Sequence, residues 1–148
     1  MGKKLISGIL FRMYGVRNRG LRYLIRSIVL RSEGGEIYSE TLRRILKAYH
    51  EIEIGQYSYG GCFDLKNIPS GTVIGRYCSF GRDVKILNGN HPVTHKSLHP
   101  FFYNPLLRCV DKLLIERAKL MVGNDVWIGQ GAMILPSVKR IGDGVGLG

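Results

Sequence analysis

Across residues 52–148 an apolar residue followed by glycine returns every six positions, a period that neither a helix nor a hairpin sheet has. The pairs are Ile74-Gly75 and Phe80-Gly81, with Ile86 keeping the spacing, then Val122-Gly123 and Ile128-Gly129, with Ile134 keeping it again. Ile141-Gly142 arrives one residue late, and Leu147-Gly148 follows on time. Each hexad predicts a short strand whose apolar residue points into a central core, with a glycine that allows the tight bend after it. Three hexads complete one triangular turn of about 18 residues, and stacked turns bury a continuous column of Ile, Val, Leu and Phe. Ile52, Ile54-Gly55 and Tyr59-Gly60-Gly61 lead into the beat through a turn at Asn67-Ile68-Pro69-Ser70-Gly71.

The N-terminal third follows a helical period instead. Leu21, Leu24, Ile25 and Ile28 share one face of a helix over residues 20–32, with Arg22, Arg26 and Arg31 off that face. The arginines are solvated if the helix packs on the domain, the favoured reading; the alternative is an interfacial helix resting on anionic lipid. A second helix starts behind Ser39 as N-cap and carries Leu42, Ile45, Leu46 and Tyr49 on one side. Glu33-Gly34-Gly35 separates the two. The pattern therefore divides the chain into a basic helical segment, residues 1–51, and an all-β parallel solenoid, residues 52–148, interrupted at residues 88–119. A non-repeating loop of that length inside a compact coil needs a functional reason.

The net charge of +11 is unevenly placed: residues 1–47 hold 11 Lys/Arg against 3 Asp/Glu, and residues 48–148 hold 11 against 8. This bias suits a membrane surface, an anionic glycan or a phosphorylated ligand. A nucleic-acid partner is disfavoured, since the arginines are not interleaved with aromatics or set in a reading motif. The three cysteines, Cys62, Cys78 and Cys109, form no CxxC pair and point to reduced thiols in a cytoplasmic protein, peripheral to the membrane at most. No apolar run approaches the roughly 20 residues that span a bilayer, and Met1–Leu10 is a poor signal peptide.

Two segments carry chemistry. Val122-Gly-Asn-Asp-Val-Trp-Ile-Gly129 resembles the "IGNxVWIG" segment of hexapeptide-repeat acyltransferases, among them the maltose, galactoside and xenobiotic O-acetyltransferases. His91-Pro-Val-Thr-His95 is similar to the "HPVxH" loop of the sugar enzymes, and Ser97-Leu-His-Pro-Phe101 to a "STHPFF" segment of polysaccharide-modifying members. The resemblance covers residues 52–148 and implies a left-handed parallel β-helix, a homotrimer with active sites between subunits, acetyl-CoA as co-substrate and no metal. It also implies a carbohydrate acceptor in cell-surface polysaccharide modification. His91 takes the family's catalytic position. Acyl transfer from a thioester to a hydroxyl needs a group that removes the hydroxyl proton during attack, and an imidazole does this near neutral pH.

By the same resemblance Trp127, which the beat points outward, lines the acyl-donor cleft, with Gln130 and Gly131 beside the pantetheine arm. Gly131 serves a β-turn equally well. Asn90 and His95 are the candidate acceptor-binding residues, with Asn90 also able to hold the loop, while His99 before Pro100 anchors it. The second nitrogen of His91 needs an orienting partner, for which Asp83, Glu116 and a backbone carbonyl all qualify. The His91, His95 and His99 spacing raises a zinc hydratase on the same scaffold as an alternative, and a non-catalytic trimeric scaffold is another. The chain stops at Leu147-Gly148 in mid-hexad, which reads as a C-terminal truncation of the coenzyme A site.

Overall fold

The computed structural model describes residues 2–148, with side chains from Leu5 onward. Three helices, α1 (Gly2–Met13), α2 (Arg19–Glu33) and α3 (Glu40–His50), precede ten two-residue strands. These are β1 (Glu53–Ile54), β2 (Tyr59–Gly60), β3 (Val73–Ile74), β4 (Ser79–Phe80), β5 (Lys85–Ile86), β6 (Met121–Val122), β7 (Trp127–Ile128), β8 (Met133–Ile134), β9 (Arg140–Ile141) and β10 (Gly146–Leu147). The helices make the chain a mixed helix-and-strand protein, so the all-β label describes only residues 53–148.

All strand pairs are parallel, in three sheets ordered β1-β3-β6-β9, β10-β7-β4-β2 and β5-β8. From β3 onward the chain visits the sheets in rotation, and each circuit stacks its strands on the circuit before: Ile74 pairs with Val122, Phe80 with Ile128 and Ile86 with Ile134. Those on-beat residues are buried, as is Ile141; Leu147 is half-buried. The beat accounts for only half of the interior. Residues two positions earlier, Thr72, Cys78, Val84, Leu120 and Val126, also point inward and are at most 3% exposed. Cys78 is therefore a small core side chain. The stacking explains the glycine at position 75, since a methyl group there would overlap the Gly123 carbonyl of the next circuit.

Local chemistry sets the helix ends. Asn18 Oδ1 accepts from the Leu21 amide and Ser39 Oγ from the Leu42 amide, while Gly34 ends α2 at φ 81°. Helix α3 follows its sequence reading, with Leu42, Ile45 and Leu46 fully buried. Helix α2 is rotated from its predicted stripe: Ile25 and Val29 are buried, Leu21 is half-buried, and Leu24 and Ile28 face solvent. The cause is α1, an element the pattern did not predict, whose Leu10, Phe11 and Tyr14 take part of the core that α2 shares with α3. Nor are all the arginines solvated. Arg22 Nε donates to the Tyr14 and Val16 carbonyls and its guanidinium lies over the Tyr14 ring, while Arg26 donates to the Phe63 carbonyl.

One hydrophobic cluster runs from Leu10 and Ile25 through Leu46, Ile52 and Phe63 to Ile141, so helices and strands share a core. Arg43 fastens α3 to the first circuit. Its buried guanidinium donates to the carbonyls of Glu36, Ser39, Gly55 and Ser58 and lies over the Phe63 ring. Burial lowers its pKa, and the four carbonyls compensate its lost hydration. Glu33 ties the three helices together by accepting from Ser7, Ser39 and Thr41. Burial alone would raise its pKa, but these hydrogen bonds outweigh burial and hold it below the usual carboxylate range.

Candidate active site

The interruption of the coil leaves from the end of β5 and returns before β6, closed at its base by Asn88. The Asn88 carbonyl accepts from the Ala118 amide at 2.7 Å, and its side-chain oxygen accepts from Arg117 at 3.3 Å. Two short 3-10 turns, Pro100–Phe102 and Pro105–Leu107, give the loop its inner form. Each starts at a polar cap: His99 Nδ1 accepts from the Phe101 amide and Asn104 Oδ1 from the Leu106 amide. The His99 ring packs on Phe101 at 4.6 Å, so this histidine anchors the loop.

His91 sits at the mouth of a cavity of about 540 Å³ between the loop and the third sheet. The Leu98 carbonyl lies 3.0 Å from its Nδ1, and the Tyr103 hydroxyl lies 2.9 Å from the same atom. The Leu98 carbonyl can only accept and so favours the ring form with its hydrogen on Nδ1, with the Tyr103 oxygen as a second acceptor; in that neutral form Nε2 holds the free lone pair. The Tyr103 ring meets the imidazole edge-on at 88° and is itself buried. Among the described residues nothing hydrogen-bonds to Nε2. The arrangement favours one tautomer with a basic nitrogen left available, which suits proton transfer at a cavity.

Of the three orienting partners the sequence allowed, the structure supplies the backbone carbonyl; neither Asp83 nor Glu116 lines the cavity. Tyr103 was not foreseen, because no spacing rule ties a residue twelve positions away to a histidine in an unrepeated loop. Asn90 lines the cavity beside His91, and its Oδ1 also accepts from the His91 amide, so it holds the loop as well. Asn67, Asn88 and Asn104 add three more carboxamides to the wall. His95 does not line it; its amide closes a turn onto the Pro92 carbonyl. Among the described residues no three His, Cys, Asp or Glu side chains gather as metal ligands, and the three loop histidines are spread apart.

The residues assigned to the donor side lie elsewhere on the chain. Trp127 is on the outer face of β7 in the second sheet, 55% exposed, with its ring against Gly146 and Gly148. Gln130 is exposed, and Gly131 turns the chain at φ 74°, a conformation that accounts for glycine there. Neither Trp127, Gln130 nor Gly131 lines the His91 cavity. Within one chain the two halves of the expected site are on different faces.

Comparison with known proteins accounts for these features. The chain is 33% identical over 134 residues to a chloramphenicol acetyltransferase of Morganella morganii, covering 77% of this chain and 61% of that protein. A chloramphenicol acetyltransferase of Klebsiella aerogenes is 29% identical over the same length and coverage. A protein of Lysinibacillus sphaericus named "Probable macrolide acetyltransferase" is 35% identical over 79 residues, covering 49% of this chain and 43% of that protein. The chain thus spans about three fifths of the length of the first two relatives. No family model matches it, and no solved structure does. Its six-residue beat, its interrupting histidine loop and these homologues together place the chain in the hexapeptide-repeat acetyltransferase superfamily, alongside proteins named chloramphenicol and macrolide acetyltransferases.

Proposed function

We propose that this protein is an acetyl-CoA-dependent O-acetyltransferase acting on a carbohydrate hydroxyl, with His91 as general base. The observation that carries the reading is the Leu98 carbonyl on His91 Nδ1, which favours the ring form with Nε2 free, at a cavity lined by four asparagines. Asn88, Asn90 and Asn104 each use the side-chain oxygen within the loop and keep their amide N–H groups as donors, which suits an acceptor with several hydroxyls. In the proposed step Nε2 takes the hydroxyl proton as the oxygen bonds to the acyl carbon. The carbon–sulfur bond breaks, and Nε2 returns the proton to the departing sulfur. Nδ1–H stays hydrogen-bonded to the Leu98 carbonyl throughout, so the ring does not turn between the two transfers.

The strands wind as a left-handed parallel β-helix in this reading, and the working unit is a homotrimer. The trimer is supported by the separation of the His91 cavity from Trp127 within one chain, which a neighbouring copy would bridge. It is also supported by the loop surface: Val93, Leu98, Phe102 and Leu106 are all more than half exposed. Acetyl-CoA would lie in the cleft so formed, with Trp127, Gln130 and Gly131 on its donor side. A hydroxylated antibiotic is the second acceptor reading, favoured by the names of the relatives.

Thiol release from acetyl-CoA, measured with the full chain and a panel of sugars, oligosaccharides and chloramphenicol, tests the assignment. We expect release with a hydroxylated carbohydrate and a drop of about 10²–10⁴ in His91→Ala with the fold retained. Unchanged turnover in that variant would remove His91 from the mechanism. Release with chloramphenicol alone would select the second acceptor reading.

A further inference from the structure

The N-terminal helices, which supply no residue to the His91 cavity, carry a one-sided surface. From Gly2 to Ser32 the chain has eight Lys/Arg and no Asp or Glu. Over the same stretch α1 and α2 leave large apolar side chains uncovered: Leu5, Ile6, Ile9 and Met13 on α1, Leu24 and Ile28 on α2, each between 42% and 69% exposed. The four on α1 fall within about 100° of one another around the helix axis, opposite the buried Tyr14. A short turn reverses the chain between the two helices, and Ile6 and Arg31 line one cavity. The uncovered side chains therefore lie on two neighbouring helices, which the Ser7–Glu33 hydrogen bond also joins.

The arginines divide into two groups. Arg22 and Arg26 are spent on backbone carbonyls, as described above. Arg12, Arg17, Arg19 and Arg31 are exposed, and among the described residues none has an ion-pair partner. They border the apolar rows at the turn and at the end of α2. An apolar surface edged by unpaired cations, with Glu33 held by Ser7, Ser39 and Thr41 and Glu40 in the cavity beside Ile6 as its acidic neighbours, suits an anionic bilayer surface, acyl chains below and phosphates above.

We propose that α1 and α2 together form a docking face for an anionic phospholipid membrane, on which the protein lies without crossing it. The charge argues for lipid over a second copy of the chain. Residues 33–148 hold 14 Lys/Arg against 11 Asp/Glu, so another copy offers no acidic excess to meet this face. Nucleic acid would satisfy the arginines and leave six apolar side chains in water. The inference stands apart from the proposed acetyl transfer and uses none of its residues.

Co-sedimentation of the full chain with phosphatidylcholine vesicles, with and without phosphatidylglycerol, tests it. At low salt we expect at least about tenfold more protein on the anionic vesicles, declining as ionic strength rises. The double variant Ile6→Asp/Ile9→Asp is expected to lose pelleting while keeping its circular dichroism spectrum, because both positions are exposed. The variant Arg12→Gln/Arg19→Gln/Arg31→Gln is expected to lose the preference for anionic over neutral vesicles. Equal pelleting on both vesicle types would overturn the proposal. So would a wild-type-sized signal from Ile6→Asp/Ile9→Asp, a change in its oligomer size that shows a second copy covering the face, or DNA binding with no vesicle binding.

Discussion

The stacked strands and the loop at residues 88–119 are built from the same chain on opposite terms. In the strands each residue's place is set many times over: Ile74 is fixed by its neighbours in the circuit, by Ile54 on one side in its sheet and by Val122 on the other. In the loop, position rests on a few polar contacts, such as Asn88 to Ala118, His99 to Phe101 and Leu98 to His91. The strands bury their on-beat apolar residues while Met121, Trp127 and Met133 face outward, and the loop exposes most of its apolar residues and buries Tyr103. Redundant packing gives a base whose interior carries no chemistry, and a sparsely held segment on that base is free to present a side chain to a cavity.

Three variants would break or sharpen this contrast. Ile128→Ala removes a fully buried side chain between Phe80 and Leu147 of the adjacent circuits. It is expected to cost about 2–5 kcal/mol in denaturant unfolding while the folded fraction keeps its turnover. Tyr103→Phe keeps the ring and removes the hydroxyl beside His91. Tyr103 is a positioning residue, so kcat is expected to fall about threefold to tenfold, with an unchanged acceptor KM and a shifted kcat–pH profile. A change in KM alone would reassign it to binding. Arg117→Ala loosens only the clasp on Asn88, and we expect under about 0.5 kcal/mol in stability and a small change in turnover. A large stability loss there would show the loop to be as tightly determined as the strands.

The same contrast governs what was legible in the sequence. Ile74, Phe80, Val122 and Ile128 could be read because each is followed by a glycine at a fixed interval, a mark that the stacking itself imposes. Their inward companions Thr72, Cys78 and Val84 share no residue type and went unread, although they are just as buried. Helix α1 escaped notice because Gly2 and Gly8 weaken its helical signal. Without it the buried face of α2 was placed too near Leu24 and Ile28. His91 was legible through a short motif. Its partners, the Leu98 carbonyl and the Tyr103 hydroxyl, were not, because one is backbone and the other reaches His91 through a fold that no period describes.

The central claim is that this loosely held loop favours the His91 ring form with Nε2 free. Nitrogen-15 NMR of the histidine rings, recorded above the pH range where imidazoles titrate, reads that directly. The account predicts that His91 carries its hydrogen on Nδ1, and that the populations of the two ring forms become more equal in Tyr103→Phe. A hydrogen found on Nε2 in the unaltered protein would contradict it.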